Sequence, residues 1–150
     1  MTDDLMAGLA IRRLAERYAV SVDRRDGDAF ASVFTENGVI ESPRGRFVGR
    51  DAIRGIANTM SQFYERTFHA VLTQVADVSG QKAKAETYCI ARHFNTDEAG
   101  AYSCYEMTIR YQDDCVRDNG VWLFSQRILV VDATRNFPVN KTPVPITRRT

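Results

Sequence analysis

The sequence is organised around one stretch, Tyr64-Glu65-Arg66-Thr67-Phe68-His69-Ala70-Val71-Leu72-Thr73-Gln74, which joins a helical first half to a strand-rich second half. Alternation along a strand places His69 on one face together with Thr67, Val71, Thr73 and Val75. The other face carries Phe68, Ala70, Leu72 and Ala76, so both faces are largely apolar. Such a strand is expected between two core layers, and an imidazole buried there requires a polar partner.

Two further residues are candidates to accompany His69. Asp23 ends the first predicted helix at the margin of its apolar stripe, so it could face either the core or the solvent. His93 ends the next predicted strand, where Cys89, Ala91 and His93 alternate onto one face. Without such partners, a single histidine in a core is most often only a hydrogen-bonded structural residue.

The composition is that of one soluble globular domain. The chain has 150 residues, of which 44% are hydrophobic and 26% charged. A net charge of +1 provides no general attraction to nucleic acid or to an anionic membrane. No apolar run approaches the ~20 residues that a membrane span needs, and the acidic N-terminus lacks a secretory signal. Three cysteines without paired spacing predict reduced thiols in a cytoplasmic protein, not a disulfide framework or zinc site.

The periodicity predicts an α+β protein with its helices first. Three helices are expected over residues 5–22, 29–34 (capped by Asp28) and 52–64, with a brief strand at Val39 and Ile40. Four long strands are then expected over residues 67–78, 82–94, 101–116 and 121–131, with an Asn119-Gly120 hairpin turn before the last. We expect one domain over residues 1–135, followed by a proline-containing tail over 136–150, either flexible or an extended strap.

Several short motifs carry a resemblance to a known superfamily. They are Val22-Asp23-Arg24-Arg25, Tyr64-Glu65-Arg66-Thr67-Phe68-His69, Ala91-Arg92-His93 and Gly120-Val121-Trp122, in this order. Over residues 5–135 the chain resembles the nuclear-transport-factor-2-like superfamily and, within it, the SnoaL-like group that contains scytalone dehydratase and lindane dehydrochlorinase. The resemblance implies a cone-shaped, curved, antiparallel or mixed sheet (an α+β barrel) in which three N-terminal helices close a hydrophobic pocket. It also implies chemistry without a cofactor or metal.

The resemblance assigns catalytic roles to three residues. His69 is the expected general base, Asp23 fixes its tautomer and stabilises the imidazolium, and His93 protonates a leaving hydroxyl or holds a carbonyl. The implied reaction is β-elimination, usually of water, from a small hydrophobic carbonyl or hydroxy compound. Alternatives are an isomerase, a polyketide cyclase or a dehydrohalogenase with the same dyad. A non-catalytic ligand carrier, or a structural subunit like the β subunit of ring-hydroxylating dioxygenases, is a further alternative.

Other positions complete the predicted site and surface. Tyr18, Tyr88 and Tyr105 are candidates to bind a substrate carbonyl, although tyrosines in such a fold are more often packing residues. Asp132 is a reserve acid or base, with structural pairing as the alternative for both Asp132 and Arg127. Val22 stands where scytalone dehydratase has a tyrosine, so substrate recognition is expected to differ. Three outward apolar or aromatic residues fit an oligomer interface better than a solvated face: Tyr88, Ile90 and Phe94. The resemblance implies a homo-oligomer, with a trimer favoured over a dimer.

Overall fold

The computed structural model describes residues 2–142, and these form three α-helices, one short 3-10 helix and six β-strands. The helices are α1 (Thr2–Asp23), α2 (Gly27–Ser32) and α3 (Arg50–Thr59), and the 3-10 helix is Met60–Gln62. The strands are β1 (Phe34–Ser42), β2 (Gly45–Val48), β3 (Arg66–Ser79), β4 (Lys82–Thr96), β5 (Tyr102–Asp118) and β6 (Val121–Pro138).

All six strands belong to one curved sheet in the order β2-β1-β6-β5-β4-β3. Neighbouring strands are antiparallel, except that β1 runs parallel to β6. The sheet does not close, because β2 and β3 remain at its two edges. The predicted α+β class and cone-type fold are therefore confirmed, with a mixed and open sheet.

The core lies between the helices and the concave face of the sheet. From α1, the predicted apolar stripe supplies Ile11, Leu14, Ala15, Tyr18 and Val22, all buried. The long strands supply the opposing layer from alternate positions, among them Ala85, Cys89, Ile109, Tyr111 and Phe124. Because α1 packs along this face, its C-terminal residue Asp23 is brought against β3.

One buried ion pair fixes the centre of the core. The Arg127 guanidinium donates from Nε and Nη2 to the two carboxylate oxygens of Asp113, at 2.7 and 2.8 Å, and neither side chain is exposed. Its central carbon lies 4.1–4.3 Å from the ring centroids of Tyr18, Tyr111 and Phe124. Arg127 is therefore a structural residue in a bidentate pair stacked on aromatic rings.

The edge strand β3 departs from the predicted alternation. Its register with β4 shifts between Val71 and Gln74, where a β-bulge turns the following side chains over. Val75 is consequently 65% exposed, whereas Ala76 packs against the core. Phe68 and Leu72 on the outer face are also exposed. The prediction that a second core layer covers this face is therefore wrong for the single chain. The Arg12 guanidinium donates to the carbonyls of Val71 and Leu72, satisfying backbone groups at the bulge.

The N-terminal half differs in detail from the prediction. The cap of α2 is Asp26, whose Oδ1 accepts from the Ala29 N–H at 3.0 Å, so the prediction of Asp28 as the cap is wrong. The predicted third helix is shorter, since α3 ends at Thr59 and a 3-10 turn follows.

The C-terminal half follows the predicted hairpins. Asn119 (φ 48°) and Gly120 (φ 80°) form the expected turn between β5 and β6. The last strand is longer than predicted, so the expected domain boundary after residue 135 falls within β6. Residues 143–150 of the predicted tail lie outside the described residues. Over residues 2–142, no helix has both the length and the apolarity to span a membrane.

Candidate active site

Asp23 and His69 are in direct contact where the end of α1 meets the start of β3. Oδ1 of Asp23 lies 2.7 Å from Nδ1 of His69, and Oδ2 accepts the backbone N–H of His69 at 2.9 Å. The carboxylate thus binds both the ring and the main chain of one residue, which fixes the orientation of the imidazole. Both side chains are shielded, since the His69 side chain is 7% exposed and that of Asp23 is 22% exposed.

This contact determines the tautomer of His69. A carboxylate oxygen can only accept, so the shared hydrogen resides on Nδ1 and the neutral ring keeps its lone pair on Nε2. A base of this kind takes a proton on Nε2 while the carboxylate stabilises the resulting imidazolium. In this geometry His69 could act as a positioned general base.

Two residues that the sequence reasoning did not select support Asp23. The Thr67 hydroxyl donates to Oδ1 of Asp23 at 2.8 Å, and Nη1 of Arg25 donates to the Thr67 oxygen at 2.7 Å. Because Arg25 supplies the hydrogen on one side, the Thr67 hydroxyl is oriented to give its own hydrogen to the carboxylate. Arg25 also donates to the carbonyls of Val22 and Tyr64, at 2.9 and 3.4 Å.

His93 lies beside the dyad on β4. It pairs in register with Thr67, its ring centroid is 5.7 Å from that of His69, and the residue is 4% exposed. Burial, followed by the positive charge on His69 when protonated, lowers the pKa of His93 from 6.5 to about 4. His93 is therefore neutral at pH 7. Its Nδ1 lies 3.2 Å from the Tyr105 carbonyl, which can only accept, so Nε2 is left as an acceptor.

The surroundings of the two histidines are aromatic and apolar. The Tyr64 and Tyr105 rings lie 4.7 and 5.9 Å from the ring of His93. Partly buried hydrophobic residues continue this concave face: Val71, Met107 and Val131. A hydrophobic molecule matches such a face, and in it the interactions of Asp23 are stronger than in water. Among the described residues, no three His, Cys, Asp or Glu side chains are arranged to hold a metal ion.

The remaining predicted site residues are distributed over both faces of the sheet. Tyr105 lies at the site, next to His93. Tyr18 is 6% exposed and packed against Phe30 and Tyr111, and burial raises its pKa to about 12, so it belongs to the core. Tyr88 is 42% exposed between the inward residues Thr87 and Cys89, which places its side chain on the outer face.

Asp132 also lies away from the dyad. Its carboxylate accepts from Nε and Nη2 of Arg110 at 2.7 and 3.0 Å, on the outer face of the sheet. Arg110 points outward because its neighbours Ile109 and Tyr111 are buried in the core. The structure thus brings together Asp23, His69, His93 and Tyr105, while Tyr88 and Asp132 are too remote to bind the same substrate.

Solved structures with the same fold are numerous. A "Putative Scytalone Dehydratase" from Novosphingobium aromaticivorans is 27% identical with a TM-score of 0.80, over 100% of both chains. Rv3472 from Mycobacterium tuberculosis, a protein of unknown function, is 26% identical with a TM-score of 0.77, over 87% of this chain and 75% of the other. The hexachlorocyclohexane dehydrochlorinase LinA, type 2, is 20% identical with a TM-score of 0.80, over 96% of each chain, and at this identity shows the fold alone.

The sequence itself also matches a family model. No curated protein sequence matches the chain significantly. Residues 3–128, in contrast, match the model of the SnoaL-like domain, and this range includes Asp23, His69 and His93. The match covers well over half of the 150 residues and agrees with the topology of the sheet. The chain belongs to the family of SnoaL-like domains.

Proposed function

We propose that the protein is a cofactor-independent lyase that removes a proton from carbon and eliminates water from a small hydrophobic hydroxy-carbonyl compound. The observation that carries this proposal is the bidentate contact of Asp23 with the ring and backbone N–H of His69. A core histidine that is only structural needs one hydrogen-bond acceptor, whereas here a carboxylate holds both the ring and the main chain and can stabilise a positive charge on the imidazole.

In the proposed reaction, Nε2 of His69 takes the proton next to the substrate carbonyl. The electron pair of the broken C–H bond forms the new carbon–carbon double bond, and the hydroxyl on the adjacent carbon departs. Asp23 stabilises the imidazolium through the 2.7 Å hydrogen bond while the charge develops. The imidazolium then gives its proton to the departing hydroxyl, which releases water and restores neutral His69.

His93 receives a different role from the one that the sequence suggested. With a pKa of about 4 and Nδ1–H directed at the Tyr105 carbonyl, neutral His93 has no hydrogen on Nε2 to give to a leaving hydroxyl or a carbonyl. Its Nε2 can instead accept a hydrogen bond from the substrate hydroxyl. We therefore assign His93 to substrate orientation and His69 to both proton transfers.

The state of His93 also favours a second candidate reaction. A halide leaves as an anion without receiving a proton, so dehydrohalogenation needs only the His69–Asp23 base and no general acid. Because neutral His93 has no hydrogen on Nε2 to donate, it supplies no general acid, and dehydrohalogenation is the reaction that needs none. The 27% identity to the Novosphingobium aromaticivorans protein over the whole of both chains supports dehydration as the first choice.

An elimination assay tests the proposal and separates the two reactions. Matched aryl ketones with a β-hydroxyl or a β-chloro group would be followed by the absorbance of the enone product. We expect turnover by the wild type and a loss of about 10²–10⁴-fold in His69→Ala, the range for a positioned general base. Thr73→Ala, on the same strand but exposed, is the control. Elimination that is equal in wild type and His69→Ala would overturn the proposal.

A further inference from the structure

Arg44 stands next to the histidine site, in the turn between β1 and β2. Its guanidinium carbon lies 4.8 Å from the ring centroid of Phe63 and 5.8 Å from that of Tyr64. The Tyr64 ring in turn lies 4.7 Å from the ring of His93. The Arg44 guanidinium on this exposed turn is thus held against two aromatic rings, and the ring of Tyr64 separates it from His93.

The charge of Arg44 acts on the site itself. Burial is the main cause of the lowered pKa of His93, and the charges of His69 and Arg44 lower this pKa further. The Arg44 charge therefore lies close enough to influence His93, a residue that is 4% exposed. A group bound between Arg44 and His93 would experience the same field.

Arg44 differs from the neighbouring arginines in lacking a carboxylate partner. Arg46 pairs with Glu41 at 3.1 Å, Arg50 with Glu36 at 3.6 Å, and Arg54 with Asp28 at 2.6 Å. Within residues 2–142, no carboxylate oxygen lies within 4 Å of the Arg44 guanidinium. The donors of Arg44 are therefore free to bind an anion, and a guanidinium binds a carboxylate with two parallel hydrogen bonds.

We propose that the substrate carries a carboxylate, which Arg44 binds at the edge of the site while His69 takes the proton from carbon. This inference rests on the proposed function and narrows its substrate class from hydrophobic hydroxy-carbonyl compounds to hydroxy-keto acids that carry an aromatic or alicyclic ring. The rings of Phe63 and Tyr64 fix the guanidinium in place, so less of its freedom is lost on binding. Arg44 is then a specificity-determining residue.

Two probes of the same shape and different charge test this inference. The carboxylate 4-acetylbenzoate and the neutral 4-acetylbenzamide share the aryl ketone and its acidic methyl group. Their affinities for wild type, Arg44→Met, Arg44→Lys and Arg46→Met would be measured by calorimetry. Arg46 is the matched control because it lies two residues further along, in β2, and is paired with Glu41. Exchange of the methyl protons in deuterated buffer would be followed by NMR in the same samples.

We expect wild type and Arg46→Met to bind the carboxylate at least about tenfold more tightly than the amide, and Arg44→Met to lose this preference. Arg44→Lys should retain part of it. Equal affinities in the wild type, no measurable binding of the carboxylate, or an unchanged preference in Arg44→Met would each overturn the inference. Methyl exchange tests the proposed function separately. If the preference for the carboxylate depends on Arg44 but no methyl exchange occurs, the carboxylate site stands and the proposed base chemistry is rejected.

Discussion

At the scale of single residues, Asp23 is the best-connected group of the site. Its carboxylate accepts from the His69 ring, the His69 backbone and the Thr67 hydroxyl, at distances of 2.7–2.9 Å. Charge-assisted hydrogen bonds of this number hold a carboxylate in one orientation. The catalytic geometry proposed for His69 therefore depends on residues that do not contact the substrate.

Substitution of Thr67 by valine tests that dependence. Thr67→Val keeps the shape of the side chain but removes the hydroxyl between Arg25 and Asp23. We expect kcat to fall about 10–100-fold, the range for loss of a supporting hydrogen bond, with little change in KM. Thr67→Ser should retain most of the activity, because it keeps the hydroxyl. Steady-state kinetics on the elimination substrates measures both, and a wild-type kcat in Thr67→Val would contradict a positioning role.

The sequence predicts Asp23 and the two histidines better than it predicts the residues that hold Asp23 in place. Strand alternation and the family resemblance predicted a common site for Asp23, His69 and His93, and the structure places these three side chains next to one another. Arg25 was not predicted because it adopts a left-handed backbone conformation (φ 60°), which lets its side chain turn back to Thr67. The different roles proposed for the two histidines depend on the burial of His93 and on the Tyr105 carbonyl, neither of which a sequence pattern displays.

At the scale of elements, the dyad forms where the end of α1 meets the start of β3, and a bulge interrupts β3 shortly after His69. The alternation of β3 was predicted correctly as far as Val71, and it fails beyond because the bulge adds a residue. No residue type at that position signals a bulge. The carbonyls there are satisfied from another element, by Arg12 of α1, which the strand sequence alone cannot indicate.

The cap of α2 gives an element-scale prediction. Asp26→Ala removes the acceptor for the Ala29 N–H, and it should lower the free energy of unfolding by about 1 kcal/mol. Asp28→Ala is the matched control, because Asp28 is exposed and only pairs with Arg54 at the surface, so a change within about 0.5 kcal/mol is expected. Urea unfolding of the three proteins measures both. A larger loss in Asp28→Ala than in Asp26→Ala would contradict the cap assignment.

At the scale of the whole molecule, the burial of His93 makes the stability of the fold depend on pH. His93 is neutral when folded, with a pKa of about 4, but its pKa when unfolded is near 6.5. Between these values the unfolded chain binds more protons, so stability falls as the pH is lowered from about 6.5 to about 4. The full contribution would be on the order of 3 kcal/mol.

Denaturation in urea at several pH values tests this linkage. We expect His93→Gln to show a weaker loss of stability than the wild type between pH 6.5 and pH 4, because glutamine does not titrate. A pH dependence identical in the two proteins would contradict a neutral, buried His93.

The outer face of the sheet supports a proposal about assembly. We propose that the protein forms a homo-oligomer, a trimer in preference to a dimer, as the family resemblance implies. Large apolar residues on this face are exposed in the single chain, at 42–65%: Phe68, Leu72, Val75 and Tyr88. Light scattering coupled to gel filtration should give the mass of a trimer, and Phe68→Glu with Leu72→Glu should reduce it. A monomer in the wild type would contradict the proposal.

The central claim, that His69 removes a proton from carbon with the help of Asp23, is tested most directly by proton exchange. Hydroxy ketones, phenolic polyketide fragments and halogenated rings would be incubated in deuterated buffer and followed by NMR, with wild type, His69→Ala and Asp23→Asn compared. Deuterium should enter at the carbon next to the carbonyl, or next to the carbon that bears the halogen, with the wild type, not with His69→Ala, and far more slowly with Asp23→Asn. Undiminished exchange in both variants would contradict the claim.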